Sequence, residues 1–174
     1  IYLDLPCFTT SEAYANRGNA YKQSVETALG GCVIINLTEC VDSAQWYYAG
    51  YYPSTGAEGN YDICDLSGWG PDFNDPLGNL CAFDDQAAYK HTQFSTLDVY
   101  DDFLAALRNA GATNDAVERM GFLAEAEGIL MDNVVLIPII FKSDAYLLRN
   151  TFEGVYFNAS GPEYDFIWAS KKAA

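Results

Sequence analysis

An α/β fold, with a mixed sheet flanked by helices, is the architecture this sequence predicts, and three observations lead to it. The chain opens with a strand-like run, a helical stretch with start and stop signals, and a second run rich in β-branched residues. Two further helical stretches fill much of the second half, among short apolar runs. At 174 residues, half of them hydrophobic and 15% aromatic, the chain is long enough to bury a core as one domain.

Residues 1–8 alternate in hydropathy and read as a strand. Thr9-x-x-Glu12 has the capping-box pattern, in which each side chain satisfies a backbone N–H of the other. The helix it opens runs to about Leu29, where Gly30-Gly31 supplies the stop. Residues 32–38 read as the second strand, and strand–helix–strand implies a parallel pair with a right-handed crossover. Residues 42–52 suit a short helix capped by Ser43, with Trp46, Tyr47, Tyr48, Tyr51 and Tyr52 as an aromatic face. Residues 53–60 form a loop of small and polar residues, and residues 61–67 a third strand carrying Ile63 and Leu66. Residues 79–94 read as irregular.

Ser95-x-x-Asp98 opens a helix reaching about Ala110. Gly111-Ala112-Thr113 breaks it, and Asn114 caps the next, which runs to Asp132. Val117, Met120, Leu123, Ala124, Leu130 and Met131 make that helix's apolar side. Residues 134–142 read as a strand interrupted by Pro138, which lacks a donor and so belongs at a sheet edge or a bulge. Residues 145–157 and 164–170 read as two more short strands.

A net charge of -15 argues against nucleic acid and anionic membrane surfaces as partners, because both need basic patches. The longest apolar run, residues 134–141, is far too short to span a membrane as a helix. The five cysteines include no C-x-x-C, and His91 is the single histidine, so neither a zinc site nor any other metal or cofactor is expected. Cys7, Cys32 and Cys64 lie in or beside apolar runs and read as small core residues. Cys32, Cys40 and Cys81 are the candidates for a disulfide in an oxidising compartment.

The stretch with chemistry is residues 68–76, Gly-Trp-Gly-Pro-Asp-Phe-Asn-Asp-Pro. Glycine and proline there demand sharp turns. Trp69 has nothing local to bury against, and Asp72 follows three residues later. An indole face and a carboxylate together suit an ammonium group, one by cation–π attraction and the other by a charge-assisted hydrogen bond. The plainer reading is a tight connection whose aspartates cap turns and whose tryptophan packs on the domain edge.

Tyr61-Asp62, Gly68-Trp69, Asp72 and Asp75-Pro76 at this spacing resemble the signature of the extracytoplasmic peptide-binding proteins of ABC importers, the oligopeptide- and dipeptide-binding family. Ile1-Tyr2-Leu3-Asp4-Leu5, the later Gly30-Gly31-Cys32-Val33-Ile34-Ile35-Asn36-Leu37, and the run from Ala124 through Asn133 to Ile140 fit the same family. The likeness covers nearly the whole chain. It implies the C-terminal lobe of a bilobal, type II periplasmic-binding-protein-like fold. Residues 1–150 would be the α/β ligand-binding lobe, and residues 151–174 a crossing segment returning to an N-terminal lobe that this sequence lacks. It implies a larger exported protein, periplasmic or lipid-anchored outside the cytoplasmic membrane, that delivers peptides to a membrane permease and performs no catalysis. Asp72 would hold the peptide's amine, with Trp69, Gly68, Gly70, Phe73 and Asn74 lining the ligand. Asp75 and Pro76 would fix the loop's turn. Pro71 and Phe73 depart from many members and bear on the pocket's shape. The family also includes nickel and oligosaccharide binders. One histidine disfavours nickel, whereas Trp69 and the Tyr-rich segment 46–52 suit stacking on sugar rings. An enzymatic alternative is a glycoside hydrolase using Asp72 and Asp75, or Asp84 and Asp85, as paired acid and base. A domain that binds only other proteins is a third class. None of Arg17, Arg108, Arg119 and Arg149 sits in a motif that marks it as the partner of a peptide carboxylate.

Overall fold

The computed structural model describes residues 1–50, 52–53, 56–65, 71, 74–87, 92–140, 145–158 and 163–172. They form an α/β chain that divides into two compact units, Ile1–Gly68 with Cys81–Leu104, and Trp69–Leu80 with Ala105–Ala174. Three two-stranded sheets occur among the described residues.

The first unit is built on the predicted strand–helix–strand. β1 (Tyr2–Phe8) pairs in parallel with β2 (Ile34–Cys40), Tyr2 opposite Ile34 and Phe8 opposite Cys40, and α1 (Glu12–Ala28) connects them. β2 starts two residues later than the β-branched run suggests. The helix stop is as expected: Gly30 and Gly31 take φ of +57° and +77°. Their N–H groups return to the carbonyls of Thr27 and Glu26. The start is not. The N-cap is Ser11, whose side chain makes no capping bond. Thr9 hydroxyl instead donates to Glu39 and to the Cys40 carbonyl, because β1 ends beside the end of β2.

α2 (Ser43–Gly50) is capped by Asp42, whose Oδ1 accepts from Gln45 N–H at 2.8 Å; Ser43 is already helical. Trp46 is 3% exposed and packs against Phe8 and Tyr14, with ring centroids 6.4 and 5.1 Å away. Tyr48 and Tyr52 remain exposed.

The third strand does not form among residues 61–65. Asp62 and Ile63 N–H both donate to the single carbonyl of Asp4, and Asp62 Oδ2 accepts from Asp4 N–H at 2.8 Å. Residues two apart on a strand face the same edge. Pro6 therefore follows Asp4 along this edge with no N–H to offer, and a ladder has no next rung.

The rest of this unit is held by Asp85, 4% exposed, whose two oxygens accept from the N–H groups of Phe94 and Ser95. Phe94 stacks edge-on against Tyr100 and Phe103. α4 (Tyr100–Ala112) starts five residues later than the Ser95 signal suggests, because residues 94–100 are taken up by successive turns, Leu97 N–H to Phe94 O and Tyr100 N–H to Leu97 O.

In the second unit, α3 (Pro76–Leu80) runs from the end of the 68–76 loop into the start of the stretch read as irregular, and packs on α5 (Ala116–Asp132). Asp115, not Asn114, caps α5, its Oδ1 accepting from Val117 and Glu118 N–H at 2.9 Å each. The buried face of α5 is Leu123, Ala126 and Leu130, whereas Val117, Met120 and Ala124 lie exposed.

Residues 134–140 are not a strand. Val134 has φ of +55°, and the N–H groups of Val134 and Val135 close a Schellman turn onto the carbonyls of Met131 and Leu130. The chain therefore leaves α5 bent back on its last turn, and Pro138 withholds a further donor. The tail holds two antiparallel pairs rather than two longer strands. β3 (Phe152–Glu153) pairs with β6 (Ser170–Lys171), and β4 (Tyr156–Phe157) with β5 (Tyr164–Asp165).

Candidate ligand-binding site

Of the residues singled out for the site, Gly68, Trp69, Gly70, Asp72 and Phe73 lie outside the described residues, as does His91. The segments that deliver them are described, each in its own unit. On the approach, Tyr61 hydroxyl donates to Gln93 Oε1 at 2.6 Å, and Gln93 Nε2 donates to Gly50 O at 2.8 Å. Burial pushes the Tyr61 hydroxyl up to about 12, so it stays a protonated donor. Cys64 is likewise pushed up to about 12, first by burial and then by the Asp65 charge, so it is an inert thiol.

Asp65 meets Arg17 of α1, Nε to Oδ2 at 2.5 Å, and that guanidinium lies 4.4 Å over the Tyr14 ring. Burial raises the Asp65 carboxyl against the opposing pull of Arg17. Both the charge of Arg17 and a side-chain hydrogen bond from it favour the ionised Asp65. Beside it, Leu5, Cys7, Phe8, Tyr14, Gly18, Trp46 and Asp65 line a space of about 10 Å³, which is the size of one water.

On the far side of the loop, Asn74 is exposed at a bend. Asp75 Oδ1 accepts from Leu77 N–H and from Arg119 Nη2, both at 2.8 Å, and Asp75 O accepts from Gly78 N–H. Asp75 thus caps α3, with Pro76 at the first helical position where its missing N–H costs nothing. The Arg119 bond, followed by the Leu77 N–H, holds the Asp75 carboxyl below its usual range. Composition gave no signal for Arg119 or Arg17. Each is an isolated arginine on a helix, and only the packing of that helix shows which carboxylate it meets.

The alternative acidic pair is occupied. Asp85 is spent on two backbone N–H groups, and Asp84 Oδ1 accepts from Gln86 N–H and from the Tyr100 hydroxyl. Burial and then the Asp84 bond hold that hydroxyl well above the usual tyrosine range. The sugar-stacking face loses Trp46 to the core. Of the thiols read as core residues, Cys7 is buried as expected and Cys32 is not. Cys32 is exposed and unpaired rather than a core residue, and Cys40 is a buried free thiol, so no disulfide joins these two. Among the described residues no cluster of histidine, cysteine or acidic groups suits a metal. None of the described helices is long and apolar enough to cross a membrane.

No family model matches the chain. It is similar to the oligopeptide-binding protein AliB of Streptococcus pneumoniae, 26% identical over 164 residues that cover 87% of this chain and 24% of AliB. It is also similar to the oligopeptide-binding protein OppA of Bacillus subtilis, 27% identical over 171 residues, 92% of this chain and 28% of OppA. The dipeptide-binding protein of Lactococcus lactis is 28% identical over 156 residues. Among solved structures, the substrate-binding domain of an oligopeptide ABC transporter from Bacillus anthracis superposes with a TM-score of 0.68 at 24% identity, over 99% of this chain and 31% of that one. The resemblance read from the motifs therefore extends over nearly all of this sequence, and the fold is that of part of a substrate-binding domain. The chain spans about a quarter of the length of these curated relatives.

Proposed function

We propose that this chain supplies one wall of a peptide-binding cleft in a longer, bilobal solute-binding protein of an ABC importer. The observation that carries the reading is the run of relatives, each a peptide-binding protein by name, matched over most of this chain, which includes the Trp69-x-x-Asp72-x-x-Asp75-Pro76 element. Asp72 receives the peptide's terminal ammonium beside the Trp69 indole, with Gly68, Gly70, Phe73 and Asn74 around it. The peptide backbone lies extended, as in recognition by strand addition, and its side chains enter loosely specific pockets. The lobes close on the ligand by hinge motion, and the closed protein hands it to the permease outside the cytoplasmic membrane. The protein binds rather than catalyses. Residues 151–174 form the segment that crosses to the other lobe. The exposure of Phe166, Ile167 and Trp168 in that segment supports this role.

The test is calorimetric titration of tetra-alanine and N-acetyl-tetra-alanine into the full-length protein and its Asp72→Ala variant. Stranding an ammonium in a closed cleft costs about 3–5 kcal/mol, and 1.4 kcal/mol is tenfold. The variant, and acetylation of the peptide, are each expected to weaken binding about a hundredfold or more. Equal binding of both peptides by the wild type would remove Asp72 as the amine site. Binding of an oligosaccharide panel in place of peptides would move the substrate class to sugars.

A further inference from the structure

We infer that Lys22 and Glu26 guard the outer edge of β2, standing in for one rung of a neighbouring strand so that the edge does not pair with β2 of a second copy of this chain. The inference is independent of the peptide-binding reading. Ile34 N–H donates to Ile1 O, on the β1 side. Alternation along the strand then turns the N–H and C=O groups of Ile35, Leu37 and Glu39 away from β1. At Ile35 both groups are taken by α1. Its N–H donates to Glu26 Oε1 at 3.0 Å, and its carbonyl accepts from Lys22 Nζ at 2.6 Å. Lys22 Nζ, one turn earlier on α1, also donates to Glu26 Oε1 at 2.6 Å. A carboxylate thus replaces the carbonyl of an absent strand, and an ammonium replaces its N–H. Lys22 and then the Ile35 N–H hold the Glu26 carboxyl below its usual range, so the guard is charged at neutral pH. Among the described residues nothing bonds to the outward N–H and C=O of Leu37 and Glu39. The guard itself opens onto a groove of about 420 Å³ lined by Asn19, Lys22, Gln23, Glu26 and Thr27.

The sequence of β2 is what makes a guard necessary. Ile34–Cys40 carries a single charge, Glu39, and neither proline nor glycine. An open strand of that composition is a template for another strand. An identical copy is the partner always at hand, and antiparallel self-pairing centred on Leu37 suits this sequence. That register sets Leu37 opposite Leu37 and Asn36 opposite Thr38. It sets Glu39 opposite Ile35 and not opposite the other Glu39, so no like charges meet. Each outward residue would exchange both its N–H and its C=O with the one facing it. The bonds required at Ile35 are those that Glu26 and Lys22 already make. Guarded copies can therefore share only the bonds between their two Leu37 residues.

The experiment is sedimentation velocity on the full-length protein across a wide range of concentration. Lys22→Ala combined with Glu26→Ala keeps good helix formers in α1 and frees the Ile35 groups. That double variant is expected to self-associate at least about tenfold more tightly than wild type, since each copy regains a full rung. Adding Glu39→Pro removes an outward N–H and leaves the β1–β2 ladder intact, so association should return to the wild-type level. A second measurement needs no variant. In the wild-type protein the Ile35 amide should exchange with solvent at least about tenfold more slowly than the Leu37 amide, because only the first is bonded. A double variant that associates no more than wild type overturns the inference. So does association that survives Glu39→Pro, because it would use another surface. An Ile35 amide that exchanges as fast as that of Leu37 overturns it too, a result that stands even if a variant does not fold.

Discussion

Val134 occupies the position after a helix C-cap where glycine is the usual residue. α1 ends in the same Schellman turn with Gly30 at the equivalent place, and there the left-handed backbone is free of strain. At Val134 a β-branched side chain, 67% exposed, adopts φ of +55°. The left-handed conformation costs an L-residue about 1–2 kcal/mol, part of which glycine gives back in backbone entropy. Val134→Gly is therefore expected to stabilise the chain by up to about 1 kcal/mol, read as a higher urea midpoint at unchanged slope. Gly18 is the opposite case. A Cβ there would sit 2.9 Å from the buried Cys7 Sγ, so Gly18→Ala should destabilise by about 1–3 kcal/mol in the same assay.

Asp75 makes a prediction about acid. Its folded-state pKa lies below the ordinary aspartate value, first through Arg119 and then through Leu77 N–H. A depressed carboxyl contributes stability that is present above the unfolded pKa and is lost as pH falls through the folded one. Wild type should thus lose stability below about pH 4, near the ordinary aspartate pKa. Asp75→Asn should show a smaller difference between its urea midpoints at pH 7 and pH 3. An unchanged difference would mean that the ion pair does not act in solution.

At the scale of elements, the segment between α3 and α4 depends on one buried carboxylate. Asp85 supplies acceptors to Phe94 and Ser95 N–H where no helix or strand could, and so sets the turns that delay α4. Asp85→Ala should cost about 1–3 kcal/mol for each donor left without a partner, whereas Asp85→Asn, which retains an acceptor oxygen, should cost less. Both are measurable by chemical denaturation. The β1 edge is governed the same way by a missing group, because Pro6 has no N–H to continue the ladder that residues 61–65 would otherwise extend. The patterning of those residues is right for a strand, and the absent donor on the neighbouring strand overrules it.

Among the described residues after Val135, many apolar side chains are exposed. Ile137, Ile139, Ile140, Tyr146, Leu147, Phe166, Ile167 and Trp168 are all exposed. Surface of this kind marks a site of association. The 174-residue chain alone is expected to sediment as larger species with rising concentration, and a combined Phe166→Ser and Trp168→Ser change should reduce that. If the cleft has two walls, the isolated chain should also bind peptides far more weakly than the longer protein. Equal affinities by calorimetry would mean that the ligand needs no second lobe.

The sequence by itself determined the parallel β1–α1–β2 unit, the extent of α5 to Asp132 and the resemblance to peptide-binding proteins. Each rests on local signals: period, glycine stops, and residues spaced within one loop. Tertiary structure alone decided which side chains cap, how residues 61–65 meet β1, and which carboxylates meet Arg17 and Arg119. Thr9 and Ser43 have the right chemistry for caps, but Thr9 is drawn to the end of β2, and Asp42 precedes Ser43 with a better acceptor. Such choices are competitions between partners far apart in the chain, and their outcome depends on distances that spacing along a sequence does not contain.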